Sequence, residues 1–167
     1  MSKTSSKPSP KLTLKPLVKP SIQAVREPDV RYLLPPTLVD SCVLIDVLAN
    51  DPDWAEWSLE KLDLLGQQAP LVINPLILAE ISPRFATAAD LDAALQQLPI
   101  KREALPWDAA YLAGQAFKIY RTAKGSKRSP MPDFYIGAHA LVGNMRLLTR
   151  DAVRFQTYFP KLNIISP

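Results

Sequence analysis

The chain has 167 residues, of which 47% are hydrophobic and 22% charged, and its formal net charge is +4. This length and composition suit a single soluble domain with a substantial core. Cys42 is the only cysteine and His139 the only histidine, which excludes an internal disulfide and any His–Cys zinc cluster. The single histidine also leaves little scope for Ser–His or Cys–His catalysis.

Hydropathy and cysteine usage predict a cytoplasmic protein. No apolar run approaches the roughly 18 residues that a membrane span needs. The lysine-containing N-terminus lacks the continuous apolar segment of a secretory signal. A lone cysteine fits a reducing compartment. We therefore expect a cytoplasmic location and no membrane contact.

Residues 1–36 differ in composition from the rest of the chain. They carry seven basic and two acidic residues, a net charge of +5, whereas the remaining 131 residues carry −1. Lysines recur every four residues from Lys3 to Lys19, but the prolines among them exclude a helix. The segment is predicted to be an extended, mostly disordered basic tail, and the domain to begin near Thr37 and run to residue 167. The tail either holds nucleic acid or a partner by charge, or is a leader without a selected function.

From Thr37 onward, short apolar runs alternate with helical patterns. The β-branched and apolar run before Asp40 predicts a strand buried on both faces, and a short helix that carries Asp46 follows it. Asp51 with the proline after it predicts the N-cap and first position of a second helix, which is expected to end at Gly66.

The rest of the chain continues the alternation of strands and helices. A strand at residues 71–73 precedes a helix that Asn74 caps and Pro75 opens. The later elements are predicted in this order: a helix opened by a capping box at Thr87 and reaching Leu98, a weak strand at 100–105, a helix from Pro106 through Tyr120, a basic loop at 124–130, a helix from Pro132, a strand at 147–149, a helix at 152–158 and a strand at 162–165. The alternation predicts an α/β fold in which helices cover both faces of a central parallel sheet.

Four acidic residues are predicted to meet at one edge of that sheet. Asp40 ends the first strand, although capping of the next helix would also explain it. Glu80 shares the apolar, inward face of its helix, and Asp133 lies near a helix N-terminus. From Asp133 a helix of about 11 residues descends roughly 16 Å, and the following strand rises again, so that Asp151 returns to the starting edge.

Clustered carboxylates repel one another unless a cation holds them together. An oxygen-only ligand set points to Mg²⁺ or Mn²⁺ rather than to zinc. Hard divalent ions and acids without histidine are typical of phosphodiester cleavage, in which the ion activates a water and neutralises developing charge. The basic loop at 124–130, just before Asp133, is either a solvated connection or a contact for phosphate.

The sequence resembles the PIN-domain ribonucleases of the VapC type, the toxins of type II toxin–antitoxin pairs. The resemblance covers nearly all of residues 37–167. Four blocks in the usual order and spacing carry it: LVDSCVLID at 38–46, INPLILAEI at 73–81, MPDFYIGAHA at 131–140 and LTRD at 148–151.

The resemblance implies a PIN-like three-layer α/β/α fold and a catalytic, metal-binding quartet of Asp40, Glu80, Asp133 and Asp151. It also implies that Thr149 is the hydroxyl residue that precedes the last acid. Members of the family cleave RNA, commonly tRNA or rRNA, with Mg²⁺ or Mn²⁺. They usually form homodimers and are silenced by a small VapB-like antitoxin.

Five further residues have open roles. Cys42 stands where many members have asparagine, which puts the polar contact of that side chain in doubt. Asp46 is either close behind the metal ligands or a surface acid. Arg84 pairs with an acid or meets RNA phosphate, and Ser41 donates a hydrogen bond near the metal or caps the helix. His139 is expected to be a packing residue.

The leading hypothesis is therefore a Mg²⁺- or Mn²⁺-dependent endoribonuclease that acts as the toxin of a toxin–antitoxin pair. The alternative is a catalytically silent PIN-like module that binds RNA or a partner protein. The two differ in whether RNA binding survives the loss of Asp133 and Asp151. The RNA target depends on loops and surface charge, and the motifs do not specify it.

Overall fold

The computed structural model describes residues 34–167, so the predicted basic tail lies outside the described residues except for its last three positions. Five strands form one sheet in the order β3-β2-β1-β4-β5, and every neighbouring pair is parallel. The strands are β1 (Thr37–Val39), β2 (Leu71–Ile73), β3 (Ile100–Arg102), β4 (Arg146–Leu148) and β5 (Asn163–Ile165). The helices are α1 (Ser41–Leu48), α2 (Ala55–Gln68), α3 (Pro75–Ile81), α4 (Ala88–Leu95), α5 (Trp107–Thr122), α6 (Pro132–Val142) and α7 (Ala152–Tyr158).

The sheet confirms the predicted three-layer α/β/α fold. Strand β1 lies at the centre, where Leu38 pairs in register with Val72 of β2 and Leu147 of β4. All residues of β1, β2 and β4 are buried, as expected when helices cover both faces of a parallel sheet. The edge strand β3 exposes Lys101 and Arg102, and such charges discourage pairing with another sheet.

Three predicted helix boundaries are wrong by a few residues. Asp51 does not cap α2: its carboxylate accepts backbone hydrogen bonds from Asp53 and Trp54, each at 3.0 Å, and thereby holds a turn before the helix. Helix α2 continues past Gly66 to Gln68, and Gly66 does not adopt the positive φ that a glycine C-cap requires. Helix α4 ends at Leu95 rather than near residue 98.

The predicted strand at 100–105 is shorter than expected. It ends at Arg102, which pairs with Ile73, the last residue of β2. The Glu103 amide then donates to the Ile73 carbonyl at 2.9 Å, and β2 offers no further partner because the chain turns into α3 there.

Two predicted caps are present. The Asn74 carboxamide oxygen accepts hydrogen bonds from the Leu76 and Ile77 amides at 2.9 and 3.0 Å, which fixes the start of α3. The Thr87 hydroxyl accepts from the Asp90 amide at 3.2 Å and starts α4. Such caps satisfy amides that have no partner inside the helix.

Helices α6 and α7 pack closely together at Gly137. A Cβ atom on Gly137 would lie 2.5 Å from the Phe159 ring and 3.1 Å from Phe155. The missing side chain therefore lets the end of α7 approach α6, which carries Asp133 near its start. No helix within residues 34–167 is both long enough and apolar enough to cross a membrane.

Candidate metal-binding active site

All four predicted acids line one cavity of about 430 Å³, together with four other residues. Asp40 directly follows β1, Glu80 lies in α3 after β2, Asp133 lies in the first turn of α6, and Asp151 follows β4. The other lining residues are Ser41, Cys42, Arg150 and Arg154. The cavity lies at the carboxyl ends of the strands, which is where open α/β sheets bind ligands.

Asp40 is held on both carboxylate oxygens. Oδ1 accepts a hydrogen bond from the Ser41 amide at 2.7 Å, and Oδ2 accepts one from the Thr149 hydroxyl at 2.6 Å. Burial raises the pKa of Asp40, and the hydrogen bonds from Thr149, Cys42 and Ser41 oppose that rise. Capping of α1 and participation in the cavity, which seemed to be alternatives, therefore occur together.

Cys42 supplies a further donor to Asp40. Its thiol donates to Asp40 Oδ2 at 3.3 Å and accepts a hydrogen bond from the Arg150 amide at 3.5 Å. Burial, followed by the nearby charge of Asp40, raises the pKa of the Cys42 thiol to about 11. The thiol is therefore protonated at neutral pH and acts as a hydrogen-bond donor, because only a thiolate ligates metals well.

Glu80 is half-buried, and its Oε2 atom is buried without a hydrogen-bond partner among residues 34–167. Burial raises the pKa of Glu80, a hydrogen bond from the Ser41 side chain lowers it, and the charges of Asp40 and Asp133 raise it further. A buried carboxylate oxygen is costly unless a donor or a cation reaches it.

Asp133 and Asp151 share one guanidinium group. Arg154 Nη1 lies 2.7 Å from Asp133 Oδ2, and Arg154 Nε lies 3.0 Å from Asp151 Oδ2. These contacts raise the pKa of Arg154, chiefly through the hydrogen bond and charge of Asp133. Sequence reasoning missed Arg154, although its position three residues after Asp151 at a helix start was a usable signal.

Thr149 connects the first and last acids. It is fully buried, donates to Asp40 Oδ2 and accepts a hydrogen bond from the Asp151 amide at 3.0 Å. Its hydroxyl therefore fixes the segment after β4 relative to the segment after β1. The catalytic roles of Thr149 and the four acids stay predictions.

Asp46 is buried, so its interpretation as a surface acid is wrong. Its Oδ2 accepts a hydrogen bond from the Ser58 hydroxyl at 2.7 Å, and its Oδ1 lies 3.1 Å from Arg150 Nη2. The Arg150 guanidinium also lies over the Trp54 ring, 5.1 Å from its centroid. Asp46 does not line the cavity, but through Arg150 it ties the segment between β4 and α7 to α1 and α2.

Two other sequence candidates lie away from the cavity. Arg84 is exposed at the end of a single 3₁₀ turn after α3, and no acid within residues 34–167 pairs with it. The predicted structural pairing of Arg84 is therefore not observed there. His139 is buried, with Nδ1 3.2 Å from Asn74 Nδ2. Because the Asn74 oxygen caps α3, its nitrogen faces His139, whose Nδ1 accepts the bond as a packing residue.

The donor set fits a hard divalent ion. The cavity supplies carboxylate oxygens from four acids, and Glu80 Oε2 is a buried oxygen that lacks a partner. Mg²⁺ and Mn²⁺ prefer such ligands. Within residues 34–167, no three acidic, histidine or cysteine side chains lie close enough together to form a preassembled metal cage. Asp133 and Asp151 are instead bound to Arg154.

Solved structures that share this fold come from several organisms. VapBC2 from Rickettsia felis, bound to a DNA fragment from its promoter, matches with a TM-score of 0.62 and 16% identity over 78% of this chain and 98% of that chain. FitAcB from Neisseria gonorrhoeae matches with a TM-score of 0.59 and 20% identity, over 78% and 97%. DNA-bound VapBC from Salmonella typhimurium matches with a TM-score of 0.59 and 20% identity, over 80% and 98%. At these identities the likeness shows a shared fold.

Comparison of the sequence with protein families is more direct. Comparison with curated protein sequences gives no match. The model of the PIN domain matches residues 37–158, well over half of the chain, and includes all four acids of the cavity. The match begins at β1 and ends with α7, and it confirms the resemblance found in the sequence. The chain belongs to the PIN-domain family.

Proposed function

We propose that this chain is a Mg²⁺- or Mn²⁺-dependent endoribonuclease and the toxin of a type II toxin–antitoxin pair. The observation that carries the proposal is the convergence of Asp40, Glu80, Asp133 and Asp151 on one cavity at the carboxyl edge of a parallel sheet. PIN domains are generally nucleases, and this chain retains an acid at each of the four positions where the motif has one.

These four carboxylates would hold the ion. A bound ion would supply the means to activate a water and to neutralise charge on the phosphate and the leaving oxygen. The chain's own residues position the ligands: Thr149 and Cys42 hold one oxygen of Asp40, and the Ser41 amide holds the other. The fixed orientation lowers the reorganisation needed when the substrate phosphate arrives.

The basic loop before α6 supports a polyanionic substrate. Its cations, Lys124, Lys127 and Arg128, are exposed. Arg121 shapes the loop by donating to the carbonyls of Gly125 and Lys127 at 3.0 and 2.9 Å. Such cations attract phosphate backbones regardless of sequence, so the loop, which precedes the helix that carries Asp133, offers a contact for RNA.

Cleavage of RNA by the purified protein tests the proposal. We expect Mn²⁺- or Mg²⁺-dependent endonucleolytic products from total RNA, and none with EDTA. Asp133→Asn keeps the size of the side chain and removes its charge, and should lower the rate at least about a hundredfold, as loss of a charge-stabilising group does elsewhere. Asp92→Asn, at an exposed acid of α4 paired with Arg102, is the matched control and should leave the rate unchanged.

The same variants separate an enzyme from a silent binding module. A silent module would bind RNA equally well in the wild type and in Asp133→Asn/Asp151→Asn, and neither protein would cleave it. Metal-dependent products that disappear in Asp133→Asn contradict the silent module. Complete absence of metal-dependent cleavage in the wild type contradicts the nuclease.

The remaining partners are proposed with the toxin role. VapBC complexes among the structural neighbours support a VapB-like antitoxin, and cells should stop growing when this chain is induced and resume when a short neighbouring reading frame is co-expressed. Asp133→Asn should be harmless to growth.

We also propose that the protein is a homodimer in the cytoplasm and that its substrate is tRNA or rRNA. Light scattering of the purified chain should give twice the 18.5 kDa mass of one copy.

A further inference from the structure

Arg154 lines the same cavity as the four proposed metal ligands. Its guanidinium bridges Asp133 and Asp151 through two different nitrogens, at 2.7 and 3.0 Å. It also lies near enough to Asp40 for that charge to raise the pKa of Arg154. Arg154 therefore neutralises the same carboxylates that a divalent ion would neutralise.

The ion pairs of Arg154 with Asp133 and Asp151 are exposed enough to break without disturbing the fold. The Arg154 side chain is 50% exposed, whereas those of Asp133 and Asp151 are 20% and 45% exposed. Ion pairs with this much solvent contact contribute little to stability, and they weaken further with salt. The backbone of Arg154 is held separately, because its amide donates to Asp151 Oδ1 at 3.2 Å at the start of α7. The side chain can therefore leave without unwinding the helix.

The carboxylates of Asp133 and Asp151 cannot bind the Arg154 guanidinium and a divalent ion at full strength at the same time. Asp151 Oδ1 accepts the bond that caps α7, and Oδ2 contacts Arg154 Nε, so each oxygen already has one partner and a metal would share Oδ2 with Arg154. Asp133 has its Oδ2 engaged as well. A positive guanidinium at this position also repels an arriving divalent ion.

We propose that Arg154 is an internal counter-cation that closes the metal site, and that a divalent ion binds Asp133 and Asp151 only as the guanidinium leaves them. The inference rests on the metal site of the proposed function. Arg154 and the ion are then linked as competing ligands: each weakens the binding of the other by the same factor.

Direct measurement of Mn²⁺ binding tests the inference without using activity. Isothermal titration calorimetry or Mn²⁺ electron paramagnetic resonance on EDTA-stripped full-length protein gives the Kd. Arg154→Gln should bind Mn²⁺ roughly tenfold more tightly than the wild type, a change of about 1.4 kcal/mol. Arg154→Lys keeps the charge but loses the planar two-point geometry, and should fall between them.

Arg102→Gln is the matched control. Arg102 forms an exposed ion pair with Asp92, and its side chain is also 50% exposed. The substitution removes the same charge from the same protein, away from the acidic cavity. Its Mn²⁺ affinity should equal that of the wild type, which separates the local contact from the change in net charge.

Thermal unfolding gives a second, independent readout. In EDTA, Arg154→Gln should melt roughly 2 °C below the wild type, because the acids lose their counter-cation. Saturating Mn²⁺ should raise the Tm of the variant by more than it raises that of the wild type. A merely structural arginine would lower the Tm equally in both conditions.

The outcomes distinguish the inference from the function on which it rests. Equal Mn²⁺ affinity in the wild type and Arg154→Gln, with binding lost in Asp133→Asn, overturns the counter-cation and leaves the metal-dependent nuclease standing. Absence of Mn²⁺ binding in both the wild type and Arg154→Gln overturns both. Weaker binding in Arg154→Gln also overturns the inference, because it would make Arg154 a supporter of the metal site.

Discussion

Glu80 shows at the scale of one residue how this site conflicts with stability. One of its oxygens is buried without a hydrogen-bond partner among residues 34–167, and burial raises its pKa. The raised pKa means that the ionised form is less favourable in the folded protein than in the unfolded chain. The ionised form of Glu80 therefore opposes folding.

The effect of Glu80→Gln on the Tm should change sign when Mn²⁺ is added. In EDTA the variant should melt roughly 2 °C above the wild type, because the uncharged amide removes the desolvation cost and solvent screening keeps the gain small at a half-buried position. In saturating Mn²⁺ the wild type should melt higher, since it alone keeps the full ligand set. Differential scanning calorimetry in both buffers measures this crossover.

Lower stability of Glu80→Gln in EDTA would contradict that account. Glu56→Gln is the comparison variant, because Glu56 is exposed in the first turn of α2 and lies outside the cavity. We expect its Tm to respond equally to EDTA and Mn²⁺.

The positions of the acids could be predicted from the sequence, whereas their contacts could not. Asp40, Glu80, Asp133 and Asp151 follow from strand ends, a helix face and the spacing of the chain. The bond from Cys42 to Asp40 and the bridge made by Arg154 depend on side-chain directions between distant segments. Asp46 was ambiguous for the same reason, because its partner Arg150 is distant in sequence.

At the scale of elements, the close approach of α6 and α7 fixes the distance between Asp133 and Asp151. Asp133 lies near the start of α6, and Asp151 caps α7. Gly137 permits this approach, since a Cβ there would meet the Phe159 ring at 2.5 Å. The site therefore depends on a packing contact that contains no polar group.

Gly137→Ala should destabilise the protein by about 1–3 kcal/mol, the usual cost of forcing a methyl group into a packed core. Gly114→Ala is the matched control in α5, because an added Cβ there meets nothing within 4 Å. It should stabilise the protein by up to about 1 kcal/mol, since alanine is the better helix former. Urea denaturation measures both changes, and equal shifts in the two variants would contradict the packing account.

The order of the strands and helices could be predicted from the alternation of short apolar runs with helical patterns. Their first and last residues could not be predicted in this way. The start of α2 was misplaced because Asp51 caps a turn in the same way as it would cap a helix, through bonds to the Asp53 and Trp54 amides. The end of β3 depends on β2, a strand distant enough that local sequence carries no information about it. The predictions that Asn74 and Thr87 cap helices are confirmed, because a cap bonds to an amide only a few residues along the chain.

The stability of the whole molecule depends on pH through two kinds of group, whose contributions to stability change in opposite directions as the pH rises. Burial lowers the pKa of His139 below its ordinary 6.5, against an opposing effect of Glu103. The stability that comes from neutral His139 is present above pH 6.5 and is lost as the pH falls below that value. Asp40 and Glu80 have raised pKa values, so their contribution is fully present below their ordinary pKa values and is lost as the pH rises.

We therefore expect the free energy of unfolding of the wild type to fall relative to that of His139→Gln between pH 7 and pH 5.5, because the acids contribute equally in both proteins. Glutamine does not titrate, and its carboxamide oxygen can accept the bond from Asn74. Chemical denaturation across this range measures the two slopes. Parallel curves for the two proteins would show that His139 does not control the acid sensitivity of the domain.

The order of the strands has a consequence for when the site exists during synthesis. Strand β1 lies at the centre of the sheet beside β4, and the cavity takes its first acid from residue 40 and its last from residue 151 of 167. The ribosome therefore makes β2, β3 and the helices between them before β4, the second neighbour of β1, is available. The four carboxylates can therefore share one cavity only after residue 151 has been made, and any reaction that needs all four has to wait for that point of synthesis.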